Sequence, residues 1–404
     1  MTNDNTFLHI VGVGNSEELK KHNKTVGPWH RNENQAITDE TAVGHPAGYI
    51  ADSGLVAAVN TILILCKPLL LTGKPGTGKS ELAERIAWEL GLGPVLRFDV
   101  QSLSEANHLF YRFDYVRQMA EANLFRYKSP HHQASQGNAA NGEPERFVEC
   151  GDSSPPSKPQ ANGGKGGLDR FITFGPLGKA ILRAAPDNYP EYFRKAFPTT
   201  PNQPLPLPRQ SVVLIDEIDK ASRDFPNDLL NGIDRMEFLV SEDNDIPVRI
   251  EGYKLKPIVI ITSNSERDLP EPFLRRCAYY HIETPDKDKL KEIIKRRLFR
   301  DPIPGLYNQL LDVYIDYYKE AENKSGYVAS VSDLLDWFHV LKSKDWSTVT
   351  PDKFQSTLAD TLSAVAKTQG ATKQFSTLLD RIPYGSAGVS PAEMTAPPGK
   401  GRGK

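Results

Sequence analysis

A glycine-rich loop constrains this sequence more than any other feature. It follows an apolar run at residues 68–71 and precedes a helical pattern at residues 81–90. Its residues fit the pattern G-x-x-x-x-G-K-S and are Gly73, Lys74, Pro75, Gly76, Thr77, Gly78, Lys79 and Ser80. A strand, a loop of this pattern and a helix in succession form a phosphate-binding loop. The sequence therefore predicts a polyphosphate site in an α/β fold.

The residue types in this loop have distinct chemical roles. The glycines leave the backbone room to curl around a polyphosphate, so that successive N–H groups and the helix N-terminus face the anion. Lys79 is placed to reach the outer phosphates, and the Ser80 hydroxyl is placed to take one position on Mg²⁺. The loop thus predicts a bound polyphosphate together with magnesium.

A pair of carboxylates supplies what the phosphate loop lacks. Residues 212–215 are continuously apolar, which is typical of a strand buried on both faces of a parallel sheet, and Asp216 and Glu217 follow them. Ligands bind at the carboxyl ends of such strands. Asp216 is therefore expected to hold the Mg²⁺ shell, and Glu217 to orient or deprotonate an attacking water. Asp219, which could cap a following helix, is interpreted as structural.

A polar amide follows another predicted strand. Residues 257–262, which are apolar as far as residue 261, are predicted to form another buried strand, and Asn264 comes shortly after it. An amide here could hydrogen-bond the terminal phosphate or the water, or it could simply form a turn. Its place in the series after the phosphate loop and the carboxylate pair favours the functional interpretation.

Composition and charge exclude several classes of protein. The 404 residues include 39% hydrophobic and 25% charged residues, which describes an ordinary globular protein of two or three domains. The formal net charge of -2 gives no overall basic field and argues against a nucleic-acid partner. The three cysteines form no C-x-x-C pair, and the most apolar stretch, residues 55–71, is too interrupted to cross a bilayer. A cytoplasmic location without a membrane span is the resulting expectation.

The alternation of strand, helix and strand predicts a parallel α/β sheet with a helical domain after it. About five strands flanked by helices are expected in residues 46–284, and only helices, forming a small all-α lid, in residues 285–382. Residues 1–45 are a polar extension, for which an adaptor and a disordered segment both stay open. Residues 128–168 are a low-complexity insertion, and residues 383–404 are a tail expected to be disordered.

Two local predictions concern the segment before and within the insertion. Residues 101–127 are predicted to be helical, and their aromatic cluster is interpreted as packing rather than as a base-stacking surface. His131 and His132 have no Cys, Asp or Glu at ligand spacing, so they are interpreted as solvated residues rather than metal ligands.

With these motifs in this order, the sequence resembles the AAA+ ATPases, and within them the MoxR-like branch, over most of residues 48–345. Four motifs carry the resemblance. They are residues 73–80 as Walker A, residues 212–217 as Walker B, residues 262–264 as the first sensor and residues 273–277 as the arginine-finger segment. Residues 171–181 and 236–250 are similar to the two hairpin regions of the MoxR-like branch.

The resemblance implies ATP as the nucleotide and an oligomeric ring, commonly a hexamer, with each nucleotide at a subunit boundary. Arg276, with Arg275 as the second choice, then corresponds to the finger that reaches the γ-phosphate bound by a neighbouring subunit. An arginine supplied in this way changes the rate of related reactions by about 10³–10⁵. The branch also implies a protein client, in some cases one with a von Willebrand factor A domain.

One departure from the family pattern concerns the lid. Many AAA+ proteins place a second sensor arginine at the start of a lid helix, whereas the matching position here is Ser332 or a neighbour, without an arginine. Three functions stay open. The leading hypothesis is an ATP-hydrolysing ring motor that remodels or activates a partner protein. The alternatives are a nucleic-acid motor on the same fold and a nucleotide-gated assembly module, which the missing arginine favours.

Overall fold

A computed structural model describes most of the chain, and the fold is given for those residues alone. They are residues 29–32, 35–37, 44–128, 170–185, 208–243, 246–250, 255–265, 267–299, 303–323, 327–346 and 349–382. His131, His132, nearly all of the predicted insertion and the predicted tail lie outside them. Within the N-terminal extension, Trp29–Asn32 pairs with Gln35–Ile37 as a short antiparallel hairpin.

Five parallel strands form the central sheet. They are β1 (Leu69–Gly73), β2 (Leu96–Asp99), β3 (Val212–Asp216), β4 (Ile258–Ser263) and β5 (Ala278–Ile282). Their order across the sheet is β5-β1-β4-β3-β2, and every neighbouring pair is parallel. The carboxyl ends of all five strands therefore lie together, where such sheets bind ligands. The predicted fold class, a five-stranded parallel sheet flanked by helices and followed by a helical region, is confirmed.

Helices cover both faces of this sheet. The helices before the lid are α1 (Ser53–Leu65), α2 (Lys79–Glu89), α3 (Tyr115–Lys128), α4 (Pro176–Ala184), α5 (Phe225–Arg235) and α6 (Glu271–Leu274). Of these, α3 does not cover the sheet, because its described side chains are mostly exposed. Successive side chains of a strand point to opposite faces, and the buried residues divide accordingly. In β3, Val213 and Ile215 share a cluster with α4 and α5, whereas Val212 and Leu214 share one with α1 and α2. This two-sided burial explains why the strands are continuously apolar.

Two antiparallel hairpins accompany the sheet. Tyr111–Phe113 pairs with Ile172–Phe174, and Glu237–Val240 pairs with Ile246–Arg249. Strands that lie far apart in sequence thus form the first hairpin, while the second is continuous apart from its tip.

The prediction of a helix over residues 101–127 is wrong in its first part. A short 3₁₀ helix, Ala106–Leu109, leads into a hairpin strand, and the α-helix begins only at Tyr115. The reason is tertiary, because Phe110 is buried against Phe238 of the second hairpin, with ring centroids 5.4 Å apart. Aromatic residues suit such cross-strand packing. The interpretation of the aromatic cluster as packing is confirmed for Phe110, Tyr111 and Phe113, whereas Tyr115 is largely exposed.

The C-terminal part contains only helices among its described residues. They are α7 (Lys287–Ile294), α8 (Gly305–Asn323), α9 (Val331–Lys342), α10 (Pro351–Ala359) and α11 (Gln369–Leu379), with a π-helical turn, Lys295–Phe299, after α7 and a 3₁₀ turn, Leu362–Ala364, before α11. These helices bury their own apolar cluster, which includes Trp337 and Phe375 and is separate from the two clusters on the sheet. In the part of the chain that the structure describes, no helix combines the length and the apolar character that crossing a membrane requires. The domain boundaries stay predictions.

Asp52 joins three parts of the molecule at the start of α1. Its carboxylate accepts a hydrogen bond from the Leu55 N–H at 2.8 Å, one from the Tyr280 hydroxyl of β5 and one from Lys289 Nζ of α7 at 3.1 Å. Burial by itself would raise the pKa of Asp52, but these donors outweigh it and lower the pKa below its usual range. The fold therefore stabilises the ionised form.

We expect Asp52→Ala to reduce the free energy of unfolding by about 1 kcal/mol or somewhat more, since a lost N-cap alone costs about this much. The contribution is present above the unfolded pKa of an aspartate and is lost as the pH falls through the lower folded pKa. Urea unfolding of both proteins should therefore show the difference shrinking once the pH falls below about 4.

Thr350→Ala is a matched control for this prediction. Thr350 occupies the N-cap of α10, but its side chain makes no capping hydrogen bond. Its replacement should change the free energy of unfolding by less than about 0.5 kcal/mol. An equal loss in both variants, or a loss in Asp52→Ala that does not depend on pH, would contradict the role assigned to Asp52.

Candidate functional site

A cavity of about 190 Å³ opens at the carboxyl ends of β1, β3 and β4. Its walls come from the phosphate loop with the start of α2, from the ends of β3 and β4, and from the lid helix α9. The lining residues are Pro75, Gly76, Gly78, Lys79, Ser80, Glu81, Asp216, Glu217, Thr262, Asn264 and Ser332. Three motifs that lie far apart in the sequence are thus brought to one place.

The phosphate loop has the backbone that its glycines allow. Gly76 and Gly78 have φ angles of 73° and 85°, in the left-handed region that favours glycine. Gly78 is the residue immediately before α2. The loop therefore runs into the positive end of a helix, which attracts anions.

Lys79 is buried and turned back on the loop. Its Nζ donates to the Gly73 carbonyl at 2.7 Å and to the Lys74 carbonyl at 2.9 Å. Burial lowers the pKa of Lys79, and the nearby carboxylates at the end of β3 only partly offset this effect. An ammonium group that is desolvated in this way is stabilised by an anionic ligand beside it.

Asp216 at the end of β3 holds the loop and β4 together. Its Oδ1 accepts hydrogen bonds from the Ser80 hydroxyl at 2.7 Å and from the Thr262 hydroxyl. A hydroxyl and a carboxylate side by side are hard oxygen donors of the kind that Mg²⁺ prefers, so Ser80 and Asp216 could hold this ion with phosphate and water in its other positions. The described residues contain no group of three or more His, Cys, Asp or Glu side chains placed to hold a metal by themselves.

Arg97 of β2 contacts the other oxygen of Asp216, and sequence reasoning missed it. Its guanidinium donates to Asp216 Oδ2 and, at 2.6 Å, to Asp99. Residues 97 and 99 share one face of β2, and Asp99 lies opposite Asp216 in the strand register. The alternation of apolar and charged residues in β2 is the available sequence signal, but only the strand pairing shows which residues Arg97 meets.

Glu217 has an uncommon backbone conformation that directs its side chain. Its φ of 60° lies in the left-handed region, which residues other than glycine rarely adopt. The Glu217 N–H donates to Thr262 Oγ1 at 2.8 Å, which holds this conformation. The carboxylate accepts hydrogen bonds from Asn264 Nδ2 at 3.3 Å and from Lys220 Nζ. The predicted water-activating carboxylate and the predicted polar amide are therefore in direct contact.

Asp219 contributes to the same end of the sheet from inside the protein. Its side chain is buried and accepts a hydrogen bond from the Asn264 N–H at 3.1 Å. Residues Ile218–Lys220 form a 3₁₀ turn instead of starting a regular helix. Asp219 thus positions the segment after β4, which is a structural role different from the helix cap that the sequence suggested.

A second cavity adjoins the first, and no motif in the sequence indicated it. Its other walls come from residues 48–50, from the end of β5 and from the lid, and they include Ile50, Ile293 and Leu335. A cleft with apolar walls beside a phosphate cavity suits a nucleotide base. The residues that line both cavities are Gly76, Gly78, Glu81 and Ser332.

Ser332 lies where the lid meets the phosphate loop. Its Oγ donates to the Gly76 carbonyl at 3.5 Å, and Ser330 caps the same helix in a capping box with Asp333. A Cβ at position 76 would lie only 2.4 Å from the Ser330 Cβ, so the loop and the lid touch through a residue without a side chain. The position matched to the second sensor therefore places a small hydroxyl at both cavities.

Arg275 and Arg276 lie outside both cavities. Arg276 donates to Asp234 of α5 at 2.7 Å, and Arg275 pairs with Glu271 of α6. The side chain of Arg275 is 75% exposed, and that of Arg276 is 42% exposed. Guanidinium groups that are accessible, yet absent from the cavities of their own subunit, are compatible with a contact to another subunit, which stays a prediction.

Comparison with known protein families agrees with this arrangement. The family model described as ATPase family associated with various cellular activities (AAA) matches residues 69–285, more than half of the chain. The matched range begins with β1 and ends shortly after β5, so it contains the whole sheet. No curated protein matches the sequence.

Thr262→Val should lower the free energy of unfolding by about 1–3 kcal/mol, because it removes the acceptor of the Glu217 N–H and one donor to Asp216. Chemical unfolding measures this loss. Thr262→Ser keeps the hydroxyl and is the matched control, so it should lose less than half as much. A valine variant as stable as the wild type would contradict the linking role of this hydroxyl.

Proposed function

The chain belongs to the AAA family of ATPases, and from this premise we propose that it is an ATP-hydrolysing ring motor that remodels or activates a partner protein. One connected set of contacts carries the proposal. Ser80 and Thr262 donate to Asp216, while Thr262 and Asn264 hold Glu217. The groups that bind the nucleotide and the groups that hydrolyse it are therefore held in fixed relative positions before ATP binds, as electrostatic preorganisation requires.

In this proposal the phosphates of ATP lie on the phosphate loop and the base lies in the second cavity. Lys79 then donates hydrogen bonds to the outer phosphates instead of to the loop carbonyls. Ser80 directly, and Asp216 through water, would hold a magnesium ion, which would neutralise charge on the phosphate oxygens. Glu217 accepts a proton from the attacking water, and Asn264 is placed to hydrogen-bond that water or the terminal phosphate.

A second subunit completes the site in this proposal. We propose that Arg276, or in its place Arg275, contacts the γ-phosphate that a neighbouring subunit binds. The subunits form a ring, for which the family resemblance suggests a hexamer. The exposure of both side chains and their absence from the cavities of their own subunit support this assignment. A monomer should therefore hydrolyse ATP slowly.

Glu217→Gln should bind ATP but turn it over at least about 10²-fold more slowly, because an amide cannot accept the proton. Arg276→Ala should be slow as well, because charge developing in the transition state is left without its partner. Mixing the two inactive variants should restore turnover, since some sites then combine an intact Glu217 with an intact Arg276 of the neighbour. Phosphate release from each protein and from the mixture measures this recovery.

A mixture of Glu217→Gln with Lys79→Ala is the matched control. Both changes alter groups that belong to the same subunit's half of a site, so every site in the mixed ring keeps one defect. Turnover should stay low in this mixture. Recovery in both mixtures, or in neither, would contradict a finger at Arg276, and the same experiment with Arg275→Ala then tests the second choice.

We propose a protein rather than a nucleic acid as the client. The net charge of -2 supports this choice. In this proposal the two hairpins line the pore of the ring, as the resemblance to the MoxR-like branch suggests, and cycles of ATP binding and hydrolysis move them as the lid rocks against the sheet. The same resemblance suggests clients with von Willebrand factor A domains.

Glu217→Gln protein with ATP should retain its client, because a ring that cannot hydrolyse ATP cannot complete its cycle. Affinity purification followed by mass spectrometry identifies what is retained, and Lys79→Ala, which removes the phosphate contact, is the control. Retention that needs both ATP and Lys79 supports a protein client. Salt-sensitive DNA or RNA binding that stimulates turnover would support the nucleic-acid motor instead.

A nucleotide-gated assembly module is the second candidate, and the position of Ser332 favours it. A serine in contact with Gly76 brings no charge to the γ-phosphate, so lid closure gains less from the triphosphate than it would with an arginine. This candidate expects ATP-dependent oligomerisation and biological function to persist in Glu217→Gln. Analytical ultracentrifugation with and without ATP, combined with a functional assay of the variant, distinguishes the two candidates.

A further inference from the structure

Glu81 and Arg297 form an ion pair where the two cavities meet. Glu81 follows Ser80 in the first turn of α2 and lines both cavities. Arg297 lies in the π-helical turn after α7 and donates to both carboxylate oxygens of Glu81, to Oε1 at 3.2 Å. The contact is bidentate, which is the strong form of pairing between these side chains.

The negative charge of Glu81 opposes anion binding by the phosphate loop that precedes it. The backbone from Gly76 to the start of α2 attracts an anion, whereas a carboxylate beside it repels one. Because Glu81 lines the phosphate cavity, a triphosphate bound there would meet this negative charge at close range. The repulsion is cancelled as long as a cation is paired with Glu81.

The cation that does this comes from the lid side of the chain. The Arg297 side chain is only 11% exposed, and its Cγ lies 3.3 Å from where a Cβ of Gly48 would be. Its guanidinium therefore sits between the segment before α1 and the start of α2. The π-helical turn that carries it is a rare conformation and is often found at functional sites.

We propose that Arg297 is a positioning residue that neutralises Glu81, so that the pocket binds a triphosphate more tightly while the lid is packed against it. The inference rests on the ATP binding proposed above and deepens it. The lid thus contributes to nucleotide affinity because the positive charge of Arg297 neutralises Glu81. Ser332, the other lid residue at this junction, carries no charge.

A second ion pair across the same junction provides the control. Lys74 pairs with Glu322 of α8 and donates to the Tyr318 hydroxyl at 2.9 Å. Glu322 is 52% exposed, and it lines neither cavity. Replacing Glu322 by glutamine therefore removes a contact between the loop and the lid without leaving an unpaired carboxylate in the pocket.

The test measures binding of ATP, ADP, AMP and adenosine, whose negative charge decreases in that order, by calorimetry on the full chain. Arg297→Gln should weaken ATP binding roughly tenfold, ADP binding less, and adenosine binding less than about twofold. The double variant with Glu81→Gln should return to within about threefold of the wild-type ATP affinity, since the unpaired carboxylate is gone. Glu322→Gln should change the affinity for each compound by less than about twofold.

Three results would overturn the inference: unchanged ATP affinity in Arg297→Gln, an equal loss for adenosine and ATP, or no rescue by Glu81→Gln. If Arg297→Gln does not fold, Glu81→Gln alone decides the question. It leaves the guanidinium unopposed and should tighten ATP binding by at least about threefold while leaving adenosine unchanged, and the absence of this tightening overturns the inference. Wild-type protein that binds none of these compounds contradicts the proposed function itself.

Discussion

The rest of the structure depends on the hydrogen bonds that the Asp216 carboxylate accepts. This carboxylate receives Ser80 from the loop after β1, Thr262 from β4 and Arg97 from β2, so one side chain at the end of β3 ties together four neighbouring segments. A buried charge is costly unless its hydrogen-bonding capacity is satisfied, and these donors satisfy it. If any one of these donors moves, the hydrogen bonds of the other two to Asp216 change as well.

Thr262 extends this constraint from the binding side of the site to the hydrolytic side. The same hydroxyl donates to Asp216 and accepts the N–H of Glu217, whose uncommon φ of 60° it supports. The lid is joined to the site by different means, through the contact of Ser332 with the phosphate loop and through the ion pair of Arg297 with α2. Sheet and lid thus act on one pocket through separate sets of contacts.

Most of the phosphate side of the site can be predicted from the sequence, because each part is a short polar pattern after an apolar run. Parallel strands bring the ends of such runs together without further information. Arg97, Arg297 and the second cavity need strand register or lid packing, which no local pattern encodes. The first part of the helix predicted over residues 101–127 fails for the same reason, because Phe110 packs against Phe238 from a distant hairpin.

The order of the strands also determines when this protein can fold during synthesis. β1 carries the phosphate loop at its end, yet its partners in the sheet are β4 and β5, the last two strands to be made. Until they emerge from the ribosome, the apolar residues of β1 have no neighbouring strand, and pairing between such distant segments is slow and leaves hydrophobic surface exposed. A nascent chain that ends before β4 contains every glycine of the loop and still has no strand to pair with β1. Chains that end before residue 258 therefore leave the apolar residues of β1 without a partner strand, and we expect them to need protection from aggregation.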